Sequence, residues 1–150
     1  MLRIGTAACI LATIGLAQDF KFTIGNAVAS QDFQMKTATF VFRTEGCAEP
    51  SKSRIGATAE GMVKGERRSV DLKVMTSASK PGVYAVYQMW PSEGDWVVSL
   101  KGTCAGVNAG AIVPIGPNGF VRESTKYFAR AATGAEIDAS LKALAKGAKK

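Results

Sequence analysis

The sequence predicts a mainly β protein, an antiparallel β-sandwich closed by one C-terminal amphipathic helix. Three observations point there. Sixteen glycines and five prolines punctuate 150 residues. Short runs rich in Val, Ile, Phe and Thr alternate apolar with polar positions, and only the C-terminal segment carries a helical period. At 47% hydrophobic and 21% charged residues the chain has the composition of a folded protein, and its length suits one domain with a real core.

The first segment reads as an address. Arg3 is followed by an uncharged apolar run from Ile4 to Leu16 and a small-residue end at Gly15-Leu16-Ala17, the layout of a secretory signal peptide over 1–17. The run is short for a bilayer span, and Asp19 and Lys21 end it, so no integral membrane span is expected after cleavage. The mature chain is therefore expected in the periplasm or outside the cell. Ala27-Val28-Ala29 offers a second small-residue site, which makes cleavage after Ala29 the alternative to cleavage after Ala17. The sandwich is expected over 18–132, with a helix and basic tail packed on it over 133–150.

Cys9 lies ahead of most of the apolar run, where a lipid-bearing cysteine would follow it, so Cys9 is expected to leave with the signal. Cys47 and Cys104 remain. Two cysteines in an oxidising compartment are expected to form a disulfide, and no Cys-x-x-Cys spacing supports a redox pair.

The strands follow in order. Phe20, Phe22 and Ile24 alternate with Lys21 and Thr23, and Ala38, Phe40 and Phe42 share one face of Thr37 to Thr44. Ile55, Ala57 and Ala59 alternate through Arg54 to Val63 until Gly61, which is expected to break the run. Val70, Leu72 and Val74 share one face of Ser69 to Met75. Two alternating runs flank Pro91-Ser92-Glu93-Gly94 and predict an antiparallel hairpin from Pro81 to Gly102, with Trp96, Val98 and Leu100 on one face. Pro114 marks Ala111 to Ile115 as a short edge strand, and Gly116-Pro117-Asn118-Gly119 as a turn follows it. Thr133 and Glu136 have capping-box spacing, and Ile137, Leu141, Leu144 and Ala145 share a face, so a helix is expected from about Gly134 to Lys146 with Lys149 and Lys150 as a solvated tail.

The stretch Pro-Gly-x-Tyr, an alternating run, Pro-x-x-Gly-x-Trp and a second alternating run, Pro81 to Gly102, resembles the final hairpin of small exported bacterial immunoglobulin-like β-sandwich modules, the YtkA-like and FixH-like groups. The resemblance implies an immunoglobulin-like sandwich in a bacterial envelope. Some relatives handle copper through His and Met. This chain has Met35, Met62, Met75 and Met89 but no histidine, so that function does not carry over. The antibody-type subtype is unmatched as well, because Trp90 lies far beyond Cys47.

The absence of histidine excludes Ser-His-Asp and Cys-His nucleophiles and His-based zinc or copper sites. Glu93 and Asp95 are a close carboxylate pair of the kind that does acid and base work on sugars, but they fall at a predicted hairpin tip. A histidine-free carboxylate hydrolase is therefore the third reading, and no catalytic residue is assigned. Dispersed methionines make a soft-metal, copper-binding accessory protein the second reading, with no metal ligand or cofactor assigned.

Binding leads. Nineteen Lys and Arg against twelve Asp and Glu give a net charge of +7. Arg122, Lys126 and Arg130 recur every fourth position and would form a basic stripe if Val121 to Ala132 were helical. Tyr84 and Trp90 share a strand parity and would make an aromatic platform if exposed, core packing being the commoner fate of such rings. The expected role is a non-catalytic exported interaction module that docks an envelope protein or an anionic polymer or lipid surface. Export, and the lack of a recognised motif, argue against nucleic acid.

Overall fold

The computed structural model describes residues 19–149. The expected signal segment with Arg3 and Cys9, the expected boundary after Ala17, and Lys150 lie outside the described residues.

Among the described residues ten strands form two antiparallel sheets. The first sheet contains β1 (Lys21–Gly25), β2 (Phe40–Glu45), β5 (Met75–Thr76) and β6 (Val83–Val86), in the order β1-β2-β6-β5. The second contains β3 (Arg54–Val63), β4 (Glu66–Leu72), β7 (Asp95–Cys104), β8 (Val107–Gly116), β9 (Gly119–Phe120) and β10 (Lys126–Phe128), in the order β10-β8-β7-β3-β4 with β9 also on β8. The helix α1 (Gly134–Gly147) follows.

Period-two alternation makes the core. Phe22, Ile24, Phe40, Phe42, Tyr84 and Val86 point inward from the first sheet and meet Ala57, Ala59, Trp96, Val98, Leu100, Ala109, Ala111 and Val113 from the second. Large rings on one sheet oppose mostly small residues on the other, which lets the layers interdigitate. The rings also touch one another in a chain: Phe20 to Phe22 at 5.6 Å, Phe22 to Phe42 at 5.5 Å, and Phe42 stacked on Tyr84 at 5.1 Å. A cut after Ala29 would remove β1 and with it three of these core side chains, Phe20, Phe22 and Ile24. The full core is compatible with the Ala17 boundary.

Cys47 and Cys104 are bonded, with Cα atoms 5.9 Å apart at a sequence separation of 57. The bond joins the segment after β2 to the end of β7, so it ties one sheet to the other.

Several expectations need correcting. The Pro81 to Gly102 hairpin does not form: β6 pairs with β2 and β5, β7 pairs with β3 and β8, and the two arms lie in different sheets. Eight residues separate Val86 from Asp95, more than a tight hairpin uses, and they carry the chain across the sandwich. The run from Ser69 to Met75 likewise divides, β4 staying in the second sheet while β5 joins the first. Thr37 ends a 3-10 turn, and the second strand starts only at Phe40.

Gly61 does not break its strand. Pro114 is not on an edge either, because β8 has β7 on one side and β9 and β10 on the other. Its carbonyl accepts from the Val121 N–H at 2.8 Å, in the gap between the β9 and β10 pairings. A strand residue's N–H and C=O point the same way, so the donor that proline lacks falls where no strand needs it. Finally, Val121 to Ala132 is not helical. It holds a single 3-10 turn at Arg122–Ser124 and then β10.

The C-terminal helix is as expected. Thr133 Oγ accepts from Glu136 N–H at 3.3 Å while Glu136 Oε2 accepts from Thr133 N–H at 2.8 Å, which completes the capping box. Ile137 and Leu141 press on Val97 and Ile112 from the outer face of the second sheet. Among the described residues no helix is long and apolar enough to cross a membrane.

Candidate functional site

A groove of about 890 Å3 lies at the end of the sandwich where β7 starts and β8 finishes. Its three walls are the segment Gln88 to Asp95, the β8 end with its turn from Pro114 to Pro117, and the C-terminal half of α1 from Ser140 with its C-cap Ala148. This volume falls within the usual range for ligand sites.

Each wall is held in place by a local device. Trp96 Nε1 donates to the Glu93 carbonyl at 2.8 Å, and Gln88 Nε2 donates to the Trp90 carbonyl at 3.2 Å, so the crossing segment is tied to its own tryptophans. Gly94 has φ +93° and packs so closely on β3 that a Cβ would stand 2.5 Å from the Met62 carbonyl oxygen. The turn wall is a two-residue connection, Pro117-Asn118, closed by pairing of Gly116 with Gly119.

The third wall, α1, is clasped from both flanks. Arg67 bonds Asp138 of the helix and Glu60 of β3, the latter at 3.2 Å. On the other flank Arg130 donates to both Glu136 oxygens, at 2.9 and 2.7 Å. Arg130's hydrogen bonds, followed by that from the Thr133 backbone, hold the Glu136 carboxyl down at about 2, and the same pairing raises the Arg130 guanidinium.

The groove floor is apolar, with Trp90, Trp96, Ile115, Val121 and Leu144, while Pro91, Pro114 and Pro117 stiffen its walls. Polar groups are few and spaced: Gln88, Ser92, Ser124 and Ser140, with Asp95 and Lys126 as the two charges. Ser140 is 4% exposed, and its hydroxyl has no hydrogen-bond partner among the described residues.

Of the five candidate binding residues, the structure brings Trp90 and Lys126 to this groove and no others. Tyr84 and Trp90 form no exposed platform: both are core residues, 6% and 5% exposed. The Tyr84 hydroxyl is engaged by Ser53 Oγ at 3.1 Å. With no helix over Val121 to Ala132, Arg122, Lys126 and Arg130 make no stripe. Arg122 lies over the Phe120 ring and lines a separate depression with Arg43 and Lys80, and Arg130 is spent on Glu136.

The carboxylate pair is divided. Asp95 lines the groove, whereas Glu93 reaches Lys64 at 3.5 Å. The methionines do not converge on one depression: Met62 and Met35 line different ones, and Met35 is buried. No group of three His, Cys, Asp or Glu side chains suited to a metal ion occurs among the described residues.

The groove was hidden from sequence reasoning. Its walls come from three separated segments, and the one available sign was that Ser140, Ala143, Leu144 and Gly147 fall along one flank of the expected helix. Comparison with protein-family models, curated proteins and solved structures finds no match.

Proposed function

We propose that the protein is an exported, non-catalytic binding module whose groove between α1 and the β7 and β8 ends takes an extended apolar segment of a partner protein. The observation that carries this reading is the groove's lining, an apolar floor interrupted at intervals by Gln88, Ser92 and Ser124. An extended peptide offers apolar side chains and, at regular intervals, backbone groups that need partners. An acyl chain would fill the floor and leave those polar groups unsatisfied. Export is supported by the disulfide, which belongs to an oxidising compartment, and by the signal layout of the first residues. The immunoglobulin-like placement is supported by two facing antiparallel sheets and an inter-sheet disulfide, while the Pro81 to Gly102 resemblance no longer has a hairpin beneath it.

The test uses a panel of extended apolar peptides, with intrinsic fluorescence of Trp90 and Trp96 as readout. Ala143 is an exposed helix residue on the groove wall, so Ala143→Trp fills the groove without entering the core. Saturable binding to the parent and at least tenfold weaker binding to Ala143→Trp is the expected result. A panel that leaves the fluorescence unchanged, or a variant that binds as the parent does, overturns the reading.

A further inference from the structure

The helix covers only part of the outer face of the second sheet. Under α1 that face is apolar, with Val97 and Ile112. Toward the disulfide end the same face is bare and its chemistry changes. Arg54, Gly56, Lys101, Thr103 and Asn108 line a shallow depression of about 410 Å3, bounded by Ala131 from the segment that leads into α1. No carboxylate lines it.

Strand register places the donors. Arg54 on β3 stands opposite Thr103 on β7, Gly56 stands opposite Lys101, and Thr103 stands opposite Asn108 on β8. Arg54 and Lys101 are therefore diagonal neighbours on adjacent strands, with Cα atoms roughly 7–8 Å apart. Like charges so placed repel. Neither joins any ion pair among the described residues, whereas Arg67 on the same face holds both Glu60 and Asp138. The nearest carboxylate in register, Asp71, stands opposite Thr58 and does not line the depression.

Gly56 and Asn108 sharpen the arrangement. A Cβ at Gly56 would stand 3.2 Å from Lys101 Cε, so the lysine stem lies across the glycine and carries its ammonium over β3, the strand that bears Arg54. Thr103 Oγ1 donates to Asn108 Oδ1 at 2.8 Å, which occupies the amide oxygen and leaves the amide N–H groups to donate.

We propose that this depression is an oxyanion site that takes a phosphoryl group. A carboxylate has two coplanar oxygens, which the guanidinium fork of Arg54 alone would satisfy. A tetrahedral phosphoryl group has oxygens left over for Lys101 on the second strand and Asn108 on the third. The depression is shallow and open, so the phosphoryl group is one carried on a larger molecule or free in solution. The site does not require the groove to be occupied, and Ala143→Trp leaves it intact.

The test is titration of the full chain with inorganic phosphate, followed by amide chemical shifts. Saturable shifts centred on Arg54, Lys101 and Asn108 are expected, with binding about tenfold weaker in each of Arg54→Gln and Lys101→Gln. Lys36→Gln, at an exposed lysine of the 3-10 turn after Asp32, should bind as the parent does. An unchanged unfolding midpoint without phosphate establishes that the variants fold. Equal binding in parent, Arg54→Gln and Lys101→Gln overturns the site, as does an equal loss in Lys36→Gln. Sedimentation with phosphatidylglycerol against phosphatidylcholine vesicles then separates the sources. Capture by phosphatidylglycerol that needs Arg54 and Lys101 assigns a lipid headgroup. Phosphate binding without vesicle capture assigns a phosphoryl group not borne on lipid, and vesicle capture that survives both substitutions counts against the site.

Discussion

The indole of Trp96 lies flat against the Cα of Gly61, its partner on the neighbouring strand, so closely that a Cβ at Gly61 would stand 2.4 Å from two ring carbons. Gly61 is thus the hollow that admits the largest ring of the second sheet into the core. Gly61→Ala should destabilise the fold by about 2–3 kcal/mol, through overpacking of the new Cβ against the buried Trp96 ring. Urea unfolding followed by tryptophan fluorescence measures the loss, and a midpoint equal to the parent's would contradict the packing described.

The disulfide closes a loop of 57 residues and links the two sheets. Chain-entropy arguments assign such a cross-link about 4 kcal/mol. Cys47→Ser with Cys104→Ser, or reduction of the parent, should lower the denaturant midpoint accordingly. Intact mass after alkylation, with and without reduction, reports whether the bond is present in protein recovered from cells that express the full chain.

Glu136 gives the helix its own acid sensitivity. Its carboxyl titrates at about 2 in the fold against an ordinary 4.5, chiefly because Arg130 and the Thr133 backbone donate to the charged form. A depressed carboxyl pKa stabilises the fold above the ordinary value, and that contribution disappears as pH falls from 4.5 toward 2. Helical circular dichroism against pH should therefore decline over that window in the parent, and Glu136→Gln should remove this part of the dependence. An identical profile in both proteins would show that the clasp does not govern α1.

Ser140 separates stability from binding. Its hydroxyl is buried without a partner among the described residues, in the middle of a helix where alanine is the better former. Ser140→Ala should raise stability by about 1 kcal/mol and leave peptide binding in the groove unchanged, as read by thermal unfolding and by fluorescence titration. A variant that is no stabler than the parent, or that binds more weakly, would contradict the burial described.

What the sequence disclosed was local. The capping box at Thr133 and Glu136 and the turn at Pro117-Asn118 act within a few residues, and both formed as read. Phe22, Phe42 and Leu100 reached the core because alternation fixes a face whatever the partner strand is. Partner choice was not legible. Pro91 and Gly94, between Val86 and Asp95, signal a change of direction equally well for a hairpin and for a crossing between sheets, and only the pairing of β7 with β3 and β8 decides between them.

Gly61 and Pro114 failed for the opposite reason. Each breaks a local rule, and each is licensed by something distant in the chain: the Trp96 ring in one case, the gap between β9 and β10 in the other. The fourfold spacing of Arg122, Lys126 and Arg130 imitated a helix where β10 forms instead. The cations that do come together, Arg54 and Lys101, lie on different strands, and no spacing rule joins them.

Asp95 at the groove and Lys101 at the basic depression point to the same face of one uninterrupted strand, β7. Six residues of extended backbone set them about 20 Å apart, and hydrogen bonds to β3 and β8 on either side keep that interval from stretching. The strand acts as a ruler. A bivalent ligand with an apolar segment and a phosphoryl group at that span gains avidity through effective concentration, whereas one whose tether is shorter engages one end only.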